Sequence, residues 1–406
     1  MNKRLLIIGA GIEQVPAYKL AKKMGLRVVG TDINPGAPAF KFTDDHLIAS
    51  TRDVRETLNA VLKYNVKKRI SGVMTIANDV PLTVASVASK INVPGISVAS
   101  ARLASNKILM KKRFVKHCIP TPRYFALRTE AELRRHIRNI GYPAILKPGD
   151  GRGARGVLLL DKKIDLSWAW DYSVRHSDSG VLILEKFVKG PQLSVEGIFV
   201  DKKYLPVAFA DRNYSNLKQT KPYIVENGGV IPSRCTGAVL AKTSRVIERA
   251  ALSLGISWGT VKADIVLSKR GPQILELAAR LSGNYLATHH IPMAYGVDIV
   301  SAAIRLSLGE KIYVSDLKKK PKKYLGVRYF FPPIGKIVKI SGVGRVKKKK
   351  YVRTFLLYKK PGDYQDKITH HVKRAGTIMC EGVTYRSAKK RVEHAVKQIK
   401  FNVSKK

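Results

Sequence analysis

Two acidic residues interrupt neighbouring apolar segments in the middle of the chain. Asp264 and Glu276 lie twelve residues apart, and the turn Ser268–Gly271 joins their segments. In a hairpin the two carboxylates lie roughly opposite each other on adjacent strands and can face the same side. Acids in apolar strands are costly unless they hold a cation, and oxygen ligands suit Mg²⁺. The pair therefore predicts a divalent-metal site, with a structural ion pair to Lys262 or Arg280 as the alternative.

A glycine-rich segment follows an apolar run that ends at Lys147. It reads Lys147-Pro148-Gly149-Asp150-Gly151-Arg152-Gly153-Ala154-Arg155-Gly156. Backbone N–H groups in such a flexible loop can close on phosphates, while lysine adds a point charge and arginine adds planar donors. No Gly-Lys-Ser/Thr follows, so this is not a P-loop. The segment predicts a phosphate-binding loop, with a hairpin that binds no ligand as the alternative.

The segment Leu184–Gly190 begins where another apolar run, Val181–Leu184, ends. Glu185 there places a carboxylate beside backbone that a strand end would expose. Such a carboxylate can accept the amino group of an adenine. An ordinary ion pair at a strand end is the alternative.

A second glycine-containing loop lies near the N-terminus. Gly9-Ala10-Gly11-Ile12-Glu13-Gln14 follows an apolar run, and Asp32 ends the next one. This is most of a dinucleotide-binding pattern, but Gln14 replaces the third glycine, which permits close helix–strand packing. A loop that faces some other ligand is favoured, and an NAD-dependent oxidoreductase is the alternative.

The elements that position these residues form three regions. Short apolar runs alternate with helical spacing up to about residue 105, which predicts a parallel, doubly wound α/β sheet. Residues 106–318 predict an α+β region in which strands dominate. A Lys/Pro cluster at Lys318–Lys323 marks the second boundary, and short strands with an amphipathic helix at Ser387–Ile399 follow.

Composition bounds the class of protein. The 406 residues are 45% hydrophobic and 26% charged, which is typical of a folded chain rather than a disordered one. No apolar stretch is long enough to span a membrane, and the apolar run after Arg4 passes into glycines, so it predicts a first strand rather than a signal peptide. Three widely spaced cysteines indicate reduced thiols, and hence a cytoplasmic protein.

Basic residues are in large excess. The chain has 75 lysines and arginines against 29 acids, a net charge of +46, and residues 311–406 alone hold 28 against 5. Basic surfaces attract nucleic acid, anionic membranes and acidic small molecules. A nucleic-acid or anionic-surface binding protein is therefore one alternative, and a merely solvated basic surface is the other.

Taken together and in this order, the lysines, glycine loop, glutamate and acid pair resemble the ATP-grasp superfamily. The nearest resemblance is to its carbamoyl-phosphate-synthase-like and biotin-carboxylase-like carboxylate–amine ligases, and it covers nearly the whole chain. It implies a Rossmann-like pre-ATP-grasp domain at 1–105, a two-subdomain ATP-grasp domain at 106–318 and a small basic α+β, lid-like domain at 319–406.

The resemblance also implies roles for individual residues. ATP is expected to be held by Lys107, Lys147, Gly151, Gly153, Arg155, Gly156, Glu185, Lys186, Val188 and Gln192. Asp264 and Glu276 match the acids that bind Mg²⁺ or Mn²⁺, and Arg280 matches the arginine that steadies an acyl phosphate. Ala278 departs from the common Glu-x-Asn-x-Arg, so one metal ligand must come from elsewhere or be missing. Gly11, Gln14 and Asn284 are expected to contact the substrate.

The implied reaction is ATP-dependent and forms ADP. A substrate carboxylate becomes an acyl phosphate, which an amine then attacks, so the expected partners are a small carboxylate and an amine. A bicarbonate-using carboxylase or a carbamoyl-phosphate-type enzyme is one alternative, and a non-catalytic binding protein on the same scaffold is another. Nucleic-acid binding through the basic C-terminal region is not favoured, and a homodimer is kept as an open alternative.

Overall fold

A computed structural model describes residues 3–404. The N-terminal part is a four-stranded parallel sheet in the order β3-β2-β1-β4. Alternate residues of β1 enter apolar cores on opposite faces of the sheet, which is why the strand reads as a continuous apolar run. The α/β prediction for this part is confirmed. Its strands are β1 (Arg4–Ile8), β2 (Arg27–Asp32), β3 (Asp45–Ile48) and β4 (Gly72–Met74), and its helices are α1 (Val15–Lys23), α2 (Val54–Lys67), α3 (Pro81–Lys90) and α4 (Val98–Ser105).

A second, antiparallel sheet follows in the order β5-β8-β6-β7. Its strands are β5 (Tyr124–Leu127), β6 (Ala144–Pro148), β7 (Leu158–Leu160) and β8 (Leu182–Lys186), and its helices are α5 (Lys107–Lys116), α6 (Glu130–Ile140) and α7 (Leu166–Val174). A capping box of Thr129 and Glu132 starts α6, and Gly141 ends it. The glycine-rich loop connects β6 to β7, and β8 ends at the predicted adenine-binding segment.

The third and largest sheet has eight strands in the order β13-β12-β9-β10-β11-β14-β18-β16. Residues 190–318 contribute β9 (Gln192–Val200), β10 (Lys203–Arg212), β11 (Gly229–Ile231), β12 (Gly259–Ser268) and β13 (Gly271–Ala278). The same stretch contributes the helices α8 (Leu217–Thr220), α9 (Gly237–Ser253), α10 (Ile291–Tyr295), α11 (Ile299–Ser307) and α12 (Val314–Leu317), with a π-helical turn at Leu286–His290.

The C-terminal region completes this sheet and adds a small one. Three of its strands continue the large sheet through pairing of β14 with β11, and the other three form a sheet in the order β17-β15-β19. The boundary predicted near residue 318 therefore falls within one continuous sheet. The elements are β14 (Tyr324–Tyr329), β15 (Gly335–Ser341), α13 (Val343–Lys347), β16 (Val352–Leu357), β17 (Tyr364–Gln365), β18 (Gly376–Gly382), α14 (Tyr385–Lys397) and β19 (Lys400–Ser404).

Within residues 3–404, every helix is too short or too polar to cross a membrane. The three cysteines are free thiols.

Candidate active site

One cavity of about 1040 Å³ lies where the three sheets and the C-terminal region meet. Most of the residues that the sequence singled out line it: Lys107, Lys147, Gly151, Gly153, Arg155, Glu185, Lys186, Val188, Gln192, Asp264, Glu276, Arg280 and Asn284. Gly156, Gly11 and Gln14 do not. Residues spread over almost two hundred positions of sequence thus converge on a space large enough for a nucleotide and a second ligand.

The glycine-rich loop is fastened to the start of α5. The backbone N–H of Lys107 donates to the carbonyl of Gly149 at 3.0 Å, and its Nζ donates to the carbonyl of Gly151 at 2.6 Å. Gly156 has a positive φ of 70°, and a Cβ there would lie 2.8 Å from carbons of His176 and Pro148. Its role is therefore to close the loop, since only glycine fits this bend.

Glu185 lies between two lysines beneath this loop. Its Oε1 is 2.7 Å from Lys111 Nζ and its Oε2 is 2.8 Å from Lys147 Nζ. Burial opposes ionisation, but the two lysines lower the pKa of Glu185, so the carboxylate is charged. Because both oxygens face lysines, they hold Lys147 in place, and the predicted adenine contact of Glu185 stays a prediction.

Lys111 is a member of this cluster that the motifs did not include. It is buried, its Nζ also donates to Thr121 Oγ1 at 2.7 Å, and burial lowers its pKa to about 8. Lys111 follows Lys107 by four residues on α5, and side chains at this spacing share a helix face. This four-residue spacing is the feature of the sequence that could have identified Lys111 as a member of the cluster.

The two predicted metal-binding acids are opposite each other on paired strands. Asp264 on β12 pairs with Glu276 on β13, as the hairpin predicted. Asp264 contacts Lys262 Nζ at 2.5 Å and Arg212 Nη1 at 2.9 Å. The alternative ion pair to Lys262 therefore exists, and these cations lower the pKa of Asp264 although burial alone would raise it.

An oxygen of Asp264 still remains for a ligand. Its Oδ1 is buried with no hydrogen-bond partner, and the side chain of Glu276 is 38% exposed in the same cavity. Two carboxylates that offer free oxygens fit a hard divalent cation. Within residues 3–404 no group of three or more His, Cys, Asp or Glu side chains has metal-site geometry, so phosphate or water oxygens would complete the coordination.

Arg280 is held by a residue from the N-terminal sheet. Its Nε donates to Asp79 Oδ1 at 2.6 Å, its Nη2 contacts the same carboxylate, and its Nη1 donates to the carbonyl of Leu281. Asp79 lies in the loop after β4, 201 positions away in sequence. No local pattern marks it, because the pairing arises only when the two sheets come together.

The loop after Arg280 is fixed from three sides. Ser282 N donates to Glu196 Oε1 at 2.7 Å, Asn284 N donates to Glu13 Oε2 at 3.0 Å, and Arg374 Nη2 donates to Asn284 Oδ1 at 2.9 Å. Asn284 lines the cavity, and its substrate contact stays a prediction. Glu196 and Glu13 are positioning residues that the motifs did not include.

Gly11 and Gln14 are corrections to the predicted substrate contacts. Gln14 is buried, and its Nε2 donates to the carbonyl of Ile76 at 2.8 Å, so the side chain ties the loop to the end of the sheet. Gly11 lies against Gln14 Oε1. Since Gln14 fills the space beside the loop, it is Ile12 and Glu13 that reach the cavity.

The C-terminal region contributes a wall of the cavity. His371 N donates to the carbonyl of Gly153 at 3.2 Å, so this region contacts the glycine-rich loop directly. Burial, and then the charge of Arg374, lower the pKa of His371, and its neutral ring accepts the N–H of Glu226 at Nε2. Arg374 stacks on Tyr329 at 3.4 Å. The resemblance implied a lid-like domain in this region, but no motif identified His371 or Arg374 as residues of the cavity wall.

Comparisons with known proteins agree with this geometry. The model of the ATP-grasp domain matches residues 104–284, and the model described as L-amino acid ligase C-terminal domain 2 matches residues 328–404. The crystal structure of L-amino acid ligase from Bacillus licheniformis superposes with a TM-score of 0.83 at 19% identity, covering 100% of this chain and 99% of that one.

Two curated relatives match most of the chain. The protein y4rH of Sinorhizobium fredii is 26% identical, over 82% of this chain and 69% of its own length. Human carnosine synthase 1 is 24% identical, over 76% of this chain but only 40% of its own length. The domain match over residues 104–284, together with the fold, shows that the chain contains an ATP-grasp domain.

Proposed function

We propose that the protein is an ADP-forming ligase that activates a carboxylate with ATP and joins it to an amine. The observation that carries this proposal is the convergence of Lys107, Lys147, Asp264, Glu276 and Arg280 on one cavity. These groups can neutralise a triphosphate and an acyl phosphate, and phosphoryl transfer needs positioning and charge stabilisation more than covalent help.

The proposed reaction has two steps. A carboxylate oxygen of the acid attacks the γ-phosphorus of ATP, the bond to the β-phosphate oxygen breaks, and ADP leaves. The amine then attacks the acyl carbon, and phosphate leaves as the amide forms. Arg280 is placed to stabilise the acyl phosphate because Asp79 fixes its guanidinium at the cavity wall.

The chain's own residues divide the binding work. Lys107 and Lys147 hold phosphates, and Lys186 and Val188, which line the cavity, receive adenine. Gln192 also lies in the cavity wall. A Mg²⁺ or Mn²⁺ ion bound by Asp264 and Glu276 would neutralise phosphate oxygens. The three free cysteines support a cytoplasmic setting.

The matched relatives support an amino acid as one substrate. They include an L-amino acid ligase, carnosine synthase 1 and a D-alanine–D-alanine ligase. For this chain we therefore place amino acids first among the amines to be tested.

The test is ADP release by the purified protein. A panel of carboxylic acids is assayed with ATP and Mg²⁺, each with and without amino acids, ammonia or bicarbonate. We expect ADP only when an acid and an amine are both present, and amide formation in equal amount by mass spectrometry. ADP that requires bicarbonate instead would indicate a carboxylase, and no ADP with any combination would reject the ligase.

A further inference from the structure

Two arginines that the proposed reaction does not use line the cavity. Arg152 belongs to the glycine-rich loop, and Arg52 lies in the segment between β3 and α2; both line the cavity. Among the described residues, neither guanidinium donates a hydrogen bond to the protein or lies within 4.0 Å of a carboxylate. Arg152 Nη1 is also shut off from water without a partner. A desolvated guanidinium without a counter-ion is costly, so a missing anion is indicated.

Arg52, an exposed residue of the cavity rim, acts on Arg152 as a like charge. Burial lowers the pKa of Arg152, and the largest electrostatic contribution in the same direction comes from Arg52. The neighbouring acids Asp79 and Asp150 bind other groups, so they do not neutralise the two guanidinium groups. Asp79 is engaged by Arg280, and Asp150 accepts hydrogen bonds from Ser177 and Ser179. A bound oxyanion would stabilise two unpaired cations that repel each other in the same cavity wall.

The segment Asn78–Asp79 connects Arg280, the group proposed to stabilise the acyl phosphate, with the surroundings of the two arginines. Arg280 contacts Asp79, and the adjacent Asn78 donates to Thr51, the neighbour of Arg52. This path leads from Arg280 into the N-terminal part, whereas the metal-binding acids lie on β12 and β13. Asp79 also lies near enough to Arg152 to act on its charge, so both arginines lie toward Arg280.

We propose that Arg52 and Arg152 bind a second anionic group of the acid substrate, a carboxylate or a phosphate remote from the carboxylate that is activated. The preferred acid then carries at least two anionic groups. This inference rests on the proposed ligase function for its substrate, but its residues and its ligand chemistry can be tested without turnover.

The turnover test uses matched acids that differ by one anionic group: succinate against propionate, L-aspartate against L-alanine, and phosphoglycolate against glycolate. For wild type we expect kcat/KM to favour the dianionic member of at least one pair. In Arg52→Gln and Arg152→Gln that preference should fall about tenfold to a hundredfold, because a charge-assisted hydrogen bond is lost. The KM for ATP should stay within about twofold. Arg55→Gln, an exposed arginine on α2 outside the cavity, is the matched control.

The outcomes separate the two proposals. No ADP with any acid and amine rejects the ligase itself. Turnover without preference for dianions, or variants that raise the KM for ATP while leaving the preference unchanged, overturns the anion site and assigns the arginines to the triphosphate.

The binding test is independent of turnover. Inorganic phosphate is titrated calorimetrically into protein saturated with Mg²⁺ and a non-hydrolysable ATP analogue. We expect binding in wild type and in Arg55→Gln, and its loss in the Arg52→Gln/Arg152→Gln double variant. Absence of binding in wild type, or equal binding in the double variant, contradicts the proposal.

Discussion

The ammonium nitrogen of Lys107 lies 3.0 Å from Oε1 of Glu276. This ion pair joins the proposed phosphate-binding lysine to a proposed metal ligand. The same Nζ donates to the carbonyl of Gly151 and so also reaches the glycine-rich loop. In the proposed complex, ATP and a cation would replace this ion pair, because the phosphate and the metal would use the same atoms.

Replacing Glu276, the acid of this pair, tests metal binding separately from nucleotide binding. In Glu276→Gln we expect kcat to fall by at least about a hundredfold, since a group that stabilises developing charge is lost. Calorimetry should show that Mg²⁺ no longer strengthens ATP binding. Glu310→Gln, which alters a surface pair with Lys3, should behave as wild type. Unchanged Mg²⁺ dependence in Glu276→Gln would remove Glu276 from the metal site.

Lys147→Met should weaken ATP binding at least about tenfold, because a charged hydrogen bond to phosphate is worth more than one order of magnitude. Glu185 keeps Lys111 as its partner, so the variant should lose stability but remain folded. Wild-type ATP affinity by calorimetry would contradict the phosphate assignment.

Lys111→Met should instead lower the free energy of unfolding. It leaves Glu185 buried with one cation where it had two, and removing a partner from a buried ion pair costs about 3–5 kcal/mol. The remaining contact to Lys147 favours the lower end of that range. Urea unfolding measures the free energy, and Lys112→Met, the exposed neighbour on the same helix, is the control.

Asp79→Asn should lower kcat by about tenfold to a hundredfold with little change in ATP affinity, since Arg280 loses its charged anchor but not its own charge. Asp366→Asn, an exposed acid outside the cavity, is the control. Equal losses in kcat and in ATP affinity would indicate that Asp79 supports the nucleotide site as a whole.

Glu196 makes stability depend on pH. Burial raises the pKa of Glu196 from 4.5 to about 7, although the hydrogen bonds from Ser282 oppose the shift. Because the pKa of Glu196 is raised by folding, protonated Glu196 favours the folded state at pH values below its pKa in the unfolded chain. This contribution to the free energy of unfolding is lost as pH rises from about 4.5 to about 7.

Glu196→Gln keeps an acceptor for Ser282 N and removes the charge. Relative to wild type, the variant should therefore gain about 3 kcal/mol of unfolding free energy between about pH 4.5 and about pH 8.5. Urea unfolding at the two pH values measures this gain. A difference between variant and wild type that does not change with pH would show that Glu196 does not titrate in this range.

Local patterns in the sequence predicted the parts of the site that each element carries by itself. The hairpin of Asp264 and Glu276 and the loop after Lys147 depend on spacing within a few residues, and spacing is visible in one sequence. Asp79, Glu196 and Arg374 act across contacts between distant segments, which no local periodicity encodes. Gln14 was misassigned because a side chain in place of glycine was expected to face a ligand, whereas it packs inward and bonds Ile76.

The pairing of β11 with β14 makes the C-terminal region a structural necessity rather than an appendage. A chain ending at Leu317 would leave β11 as an unprotected edge, with open backbone donors and acceptors beside the apolar side chains that Leu325 and Met379 normally cover. Such a fragment should self-associate. Denaturation of the intact protein should unfold the eight strands in a single cooperative transition.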